Sequence, residues 1–155
     1  MSPSRKTSYE DAFSGRTKAI LRTLSNIILD SGLDVRTKHM FGHKAFLLNG
    51  RPFLLIGEWA RDERPAEDIV TIRERGREEP TLIVIPLDEP MAQEIRAMHG
   101  GLYFAPKGSR LKFWISLTGP WLGEEEAIQP LILRLLEAYS HLPMKQGVAN
   151  PGRRV

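Results

Sequence analysis

The stretch HMFGHKAFLLNGRPFLLIG, residues 39–57, decides the fold. Two apolar runs, Ala45 to Leu48 and Phe53 to Ile56, flank Asn49-Gly50. Asn-Gly between apolar runs marks a hairpin, because both residues tolerate the positive φ of a type I′ turn. A two-residue turn sets Leu48 opposite Arg51 and Leu47 opposite Pro52. The same register stacks Phe46 on Phe53 on one face and puts Ala45, Leu47, Leu54 and Ile56 on the other. Both faces are apolar, so the hairpin must be covered on both sides. Pro52 has no N–H to give to a ladder, which predicts an unpaired stretch beside it near the turn.

Working outward, Ile20, Leu24, Ile27 and Ile28 follow the 3.6-residue period of a helix that begins between Tyr9 and Thr17 and stops at Asp30-Ser31-Gly32. Val35 to Phe41 alternates as a strand, with Arg36, Lys38 and Met40 on one face. Residues 58–68 carry alternating charges and read as an exposed loop. Ile69 to Arg73 and Thr81 to Leu87 read as strands. Asp88 is placed to cap a short helix over Met91 to Met98, with Pro90 just inside it. Leu102 to Ala105 is extended, and Leu111 to Leu117 alternates as a strand. Ile128, Leu131, Ile132, Leu135, Leu136, Tyr139 and Leu142 stripe a second long helix over Gly123 to Leu142, in which Pro130 calls for a kink or a later start. The result is a single α+β domain over residues 9–143, with flexible ends at 1–8 and 144–155. Its mainly antiparallel sheet of five or six strands packs with an N-terminal and a C-terminal helix.

Composition excludes several classes. The chain has 155 residues, enough for one full core. It has no cysteine, which removes disulfides, thiolate metal sites and cysteine nucleophiles and agrees with a cytoplasmic setting. No apolar run approaches the ~20 residues of a membrane span. Neither a nucleophile elbow nor a glycine-rich phosphate loop is present, which argues against the common hydrolase, kinase and dinucleotide-binding classes. No cofactor and no metal site is expected.

Three groups of residues invite a functional reading. His39 and His43 are four apart, but Gly42 at a strand end separates them, and turn histidines are the plainer account. Glu58 and Asp62 could pair as general acid and base, in what reads as a solvated loop. Net charge is only +3, yet Arg36, Lys38, Lys44, Lys107, Arg110 and Lys112 form one basic face if their strands are neighbours. Trp114 would add a stacking surface to it. Trp59 and Trp121 lie in loops and suit either the core or a protein partner.

The opening stretch also supports a resemblance. RTKHMFGHKAFLLNGRPFLLI resembles the N-terminal domain family of TfoX, whose pattern R-x-M-F-G-G, an extended run, then D/N-G-K/R and an apolar strand is matched at Lys38, Met40, Phe41, Gly42, Asn49, Gly50, Arg51 and Phe53. His43 replaces the second glycine of that pattern. The segment LKFWISLTGPWLGEEEAIQPLILRLLEAYSHLP is similar to the end of the related MmcQ/YjbR family through Trp114, Tyr139 and Leu142-Pro143. The resemblance implies a compact α+β domain of a DNA-binding or competence-regulator kind and carries over no catalytic residue. With the basic face, it points to a non-enzymatic protein that binds nucleic acid through its phosphates. A protein-interaction module and a small-molecule site near His39, His43 and Glu58 are the alternatives.

Overall fold

The computed structural model describes residues 13–58, 61–64, 69–72, 79–106, 110–145 and 153–154. The chain runs through α1 (Gly15–Asp30), β1 (Arg36–Met40), β2 (His43–Leu48), β3 (Arg51–Gly57), β4 (Arg61–Arg64), β5 (Ile69–Ile72) and β6 (Thr81–Val84). It continues through α2 (Glu89–His99), β7 (Leu102–Phe104), β8 (Ile115–Leu117), a 3-10 turn at Pro120–Gly123, α3 (Glu125–Ser140) and the two-residue β9 (Arg153–Arg154). The sheet order is β4-β5-β7-β8-β6-β3-β2-β1-β9. Its pairs are antiparallel except β5 with β7. The fold is α+β, as expected, with more strands than the five or six read from the sequence.

The Asn49-Gly50 turn forms with φ of 54° and 77°, and Leu48 and Leu47 face Arg51 and Pro52. Beyond that rung the expected pairing fails. A bulge at Phe46/Leu47 leaves Phe53 as the extra residue, so Phe46 faces Leu54 and Ala45 faces Leu55. The bulge follows Pro52, which cannot donate to the ladder. β6 joins only from Leu54, with the Ile85 N–H bonded to the Phe53 carbonyl at 3.1 Å. Leu54 and Ile56 therefore share the face of Phe46 and not that of Ala45. Both faces are nevertheless covered, and Phe53, Leu54, Leu55 and Ile56 are each 0% exposed.

Two different devices cover them. On one face, Phe46, Phe53, Leu54 and Ile56 pack with the buried stripes of all three helices, including Leu24 of α1, Ile95 of α2 and Leu135 of α3. On the other, Ala45, Leu55 and Ile83 meet Val70 and Phe104. Phe104 on β7 and His43 on β2 are four strand steps apart, about 19 Å in a flat sheet. Their rings are 6.2 Å apart, and Phe41 at the β1–β2 turn is 5.7 Å from Phe104. The sheet curls until its far strands close over its centre.

The hairpin also holds the helices at its two ends. At the turn, the Asn49 amide donates to the Tyr139 and Leu142 carbonyls at 3.2 and 2.8 Å, tying down the C-terminus of α3. The Asn49 carbonyl accepts from the Lys145 N–H at 2.9 Å. Just past β3, the buried Glu58 carboxylate accepts from the Ser14 N–H (2.8 Å), the Ser14 hydroxyl (2.9 Å) and the Thr17 hydroxyl. Ser14 in turn caps α1 by accepting from the Thr17 N–H. Four free N–H groups at a helix start need such acceptors.

Other departures are local. Residues 61–64, read as loop, pair with β5; charges are common on an edge strand, where they discourage further pairing. The strand expected from Leu111 begins only at Ile115, because the Trp114 N–H bonds back to the Leu111 carbonyl at 2.8 Å and Lys112 takes φ +30°. α3 starts ahead of Pro130 and carries it in its second turn, so the later start does not occur. Arg153–Arg154, assigned to the tail, pairs with β1.

Removing either tie tests this arrangement. Asn49→Gly keeps the positive φ and loses only the helix contacts, and should cost about 1 kcal/mol in urea unfolding. Asn49→Ala adds backbone strain and should cost about 2 kcal/mol. Glu58→Ala strips three donors of their acceptor and should cost about 3 kcal/mol. Equal stability of the Gly and Ala variants would remove the role given to the turn conformation.

Candidate anion-binding cavity

His39, His43 and Glu58 do not form a site. Across the β1–β2 hairpin His39 faces Lys44 while Met40 faces His43, so the two histidines project to opposite faces. His39 is exposed and His43 is buried. Glu58 points to the helix side and is committed to α1. Asp62 lies opposite Thr71 on β4. No group of three or more potential metal ligands occurs among the described residues.

His43 is a structural residue. Its ring lies on Gly57, where an added Cβ would fall 2.5 Å from the imidazole. Nδ1 is 2.6 Å from the Phe41 carbonyl, so Nδ1 carries the proton, and Nε2 is buried with no partner among the described residues. Burial without a counter-charge pushes its pKa down to about 4, against a weaker upward pull from the Phe41 carbonyl.

The expected basic face disperses. Arg36 is paired with Asp34 at 2.9 Å. Lys38 is exposed on β1. Lys44 shares the opposite parity with His39. The Arg110 guanidinium lies over the Tyr103 ring, 3.9 Å from its centroid. Lys107 and Trp59 fall outside the described residues. Trp121 is folded in: its ring stacks on His99 at 4.6 Å and its N–H donates to the Thr118 carbonyl.

Lys112 and Trp114 do come together, in company the sequence did not suggest. They line a concave cavity of about 450 Å³ with Arg51, Pro52, Ile85, Pro86, Leu87, Phe113, Tyr139, Leu142 and Lys145. Three cations line it, and among the described residues no carboxylate does. Arg51 follows the Asn-Gly turn and its Nε is buried without a partner among the described residues. Lys112 enters from the turn before β8, and Lys145 is set by the Asn49 carbonyl. Trp114 stacks on Phe104 (6.1 Å, 11° between planes), which fixes the indole at the cavity wall. The Tyr139 hydroxyl is not on offer: it donates to the Ile85 carbonyl at 2.6 Å, and burial raises its pKa.

Backbone strain gathers around the same cavity. Non-glycine residues at positive φ are Phe41, Asn49 and Lys112 among the described residues. Lys112 lines the cavity, Phe41 touches Trp114 edge-on at 5.9 Å, and Asn49 bonds Tyr139, Leu142 and Lys145. At Phe41 and Lys112 such a conformation costs roughly 1–3 kcal/mol, whereas Asn49 tolerates it.

Arg51 had one signal in the sequence, a cation directly after the hairpin turn, but it reads there as part of the scaffold. Lys145 had none, because nothing periodic follows Pro143. No protein-family model, no curated protein and no solved structure matches this chain.

The buried imidazole predicts a pH dependence. The unfolded chain takes up a proton near pH 6.5 and the folded chain only near pH 4. Stability is thus complete above pH 6.5, falls as pH drops and levels off below 4, by roughly 3 kcal/mol in all. His43→Asn keeps a donor for the Phe41 carbonyl and does not titrate. In urea unfolding it should lose less stability than the wild type between pH 6.5 and 4, and identical pH profiles would remove the assignment.

Proposed function

We propose that this chain is a non-enzymatic binding protein whose ligand joins a phosphate to a flat ring, the unit found in a nucleotide or a nucleic-acid strand. The supporting observation is a cavity that three cations line, with no described carboxylate and with one guanidinium N–H left unpaired. A buried donor without an acceptor costs about 1–3 kcal/mol, which Arg51 would recover by turning this N–H toward an anion in the cavity. Arg51 suits a forked contact with phosphate oxygens, and Lys112 and Lys145 supply point charges. The C-terminus of α3 borders the same space with about half a negative charge, which three full charges outweigh. Phe113 and Trp114 supply the apolar wall a ring needs.

This reading retains the phosphate-contacting nucleic-acid function expected from the sequence, and the resemblance to the TfoX N-terminal domains leans the same way. It replaces a broad face with one concave site and moves the weight from Arg36, Lys44 and Arg110 to Arg51, Lys112 and Lys145. Dispersed cations do not favour duplex DNA, whose backbone rewards a continuous row of contacts. A cytoplasmic location goes with this reading. Trp121 is withdrawn from a partner surface by its own stacking, which weakens the protein-interaction alternative.

Calorimetric titration with thymidine monophosphate tests the proposal. Binding should appear at low salt and weaken as salt rises. Arg51→Gln and Lys112→Gln should each lower affinity about tenfold, ~1.4 kcal/mol. Lys38→Gln, outside the cavity, should change nothing. Thymidine binding as tightly as its monophosphate would sink the proposal, as would an Arg51→Gln variant indistinguishable from the wild type.

A further inference from the structure

Phe41 is not explained by the turn it occupies. It takes φ +53° with Gly42 at +71°, the geometry of a type I′ turn, where asparagine or glycine is usual. The neighbouring hairpin uses the ordinary solution, Asn49-Gly50. A phenylalanine there holds its backbone in a disfavoured region. Core packing accounts for only part of it. The ring meets Phe104 and Trp114 edge-on, yet Phe41 remains 39% exposed.

The ring is also held in place. The Phe41 carbonyl accepts from His43 Nδ1, and His43 is itself wedged between Gly57 and Phe104. A partly exposed aromatic ring with a fixed backbone is what a stacking platform requires, since every base presents a π-face and little order is lost on contact. Phe41 lies 5.9 Å from Trp114 with the planes 86° apart. Bases laid on these two rings would be turned away from one another. A paired duplex keeps its bases stacked and parallel, whereas an unpaired strand can splay them. Lys38 is exposed on β1, the strand that leads into Phe41, within reach of a backbone that passes this way.

We infer that the occupant is a single-stranded oligonucleotide. One nucleotide sits in the cavity with its ring on Trp114, the next base lies on Phe41, and Lys38 meets the backbone beyond. This rests on the cavity reading above and extends it from a nucleotide to a strand.

The test compares thymidine monophosphate, single-stranded tetrathymidylate and a duplex of mixed sequence, each titrated into the full chain at low salt. The single strand should bind at least tenfold more tightly than either of the others. Phe41→Asn suits the turn and removes the ring, so it should melt no lower than the wild type. It should lower tetrathymidylate affinity about tenfold and leave the monophosphate unchanged. Lys38→Gln, at an exposed position that cannot disturb the core, should weaken the tetranucleotide several-fold and the monophosphate not at all. Tetrathymidylate binding no tighter than the monophosphate, or duplex binding equal to the single strand, would overturn the strand inference. So would an unchanged Phe41→Asn affinity, and each of these results leaves the cavity reading standing. Failure of the monophosphate and the strand alike would overturn both.

Discussion

A strand with no exposed residue on either face has to be covered twice, and β3 imposes that condition on the whole chain. Burying each of Phe53, Leu54, Leu55 and Ile56 is worth roughly 2 kcal/mol, so leaving one face wet would cost as much as a small domain's net stability. Helices alone meet half of the demand. The other half is met by the sheet itself, which curls until Phe104 of β7 reaches His43 and Phe41 near β2. Both long helices are then fastened to the hairpin at opposite ends, by Asn49 and by Glu58. Gly57 belongs to the same solution, because the imidazole that fills the inside of the curl lies where a side chain would be.

The cavity follows from this geometry. Curling the sheet carries the turn before β8 across the concave face and sets Lys112, Phe113 and Trp114 near the Asn49 end of the hairpin. The residues fastened there, Arg51 beside the turn and Lys145 after α3, complete its walls. Scaffold and site thus share atoms: the Asn49 side chain caps α3 while its carbonyl positions Lys145. Strain at Phe41 and Lys112 persists because neighbours on several elements hold them, not because the local chain prefers it.

Much of the scaffold was legible in the residues, and the reasons for the misses are physical. Asn49-Gly50 specified its turn unaided, apolar spacing located the two long helices, and Asp88 with Pro90 marked the short one. The bulge was not legible, because a register slip at Phe53 moves Leu54 and Ile56 to the other face without altering the pattern of apolar letters. Leu111 to Leu117 alternates as well as any strand, yet its first half is a turn. Leu111 packs on the concave cluster while Phe113 packs beneath the helices, so two residues that would share a face in a strand part company in the turn. The site was half legible. Lys112 and Trp114 stand out as a cation beside a large ring, but Arg51 and Lys145 join them only through tertiary contacts that sequence distance conceals.

The most direct measurement concerns a buried side-chain donor with no acceptor among the described residues. The Nε–Hε group of Arg51 can be followed by nitrogen–proton NMR while inorganic phosphate is added to the full chain at low salt. If the cavity receives an anion, this resonance moves downfield and its exchange with water slows, ahead of the Nε–Hε group of Arg36, which is already bonded to Asp34. An Arg51 resonance that stays in place while those of other arginines shift would contradict the central claim.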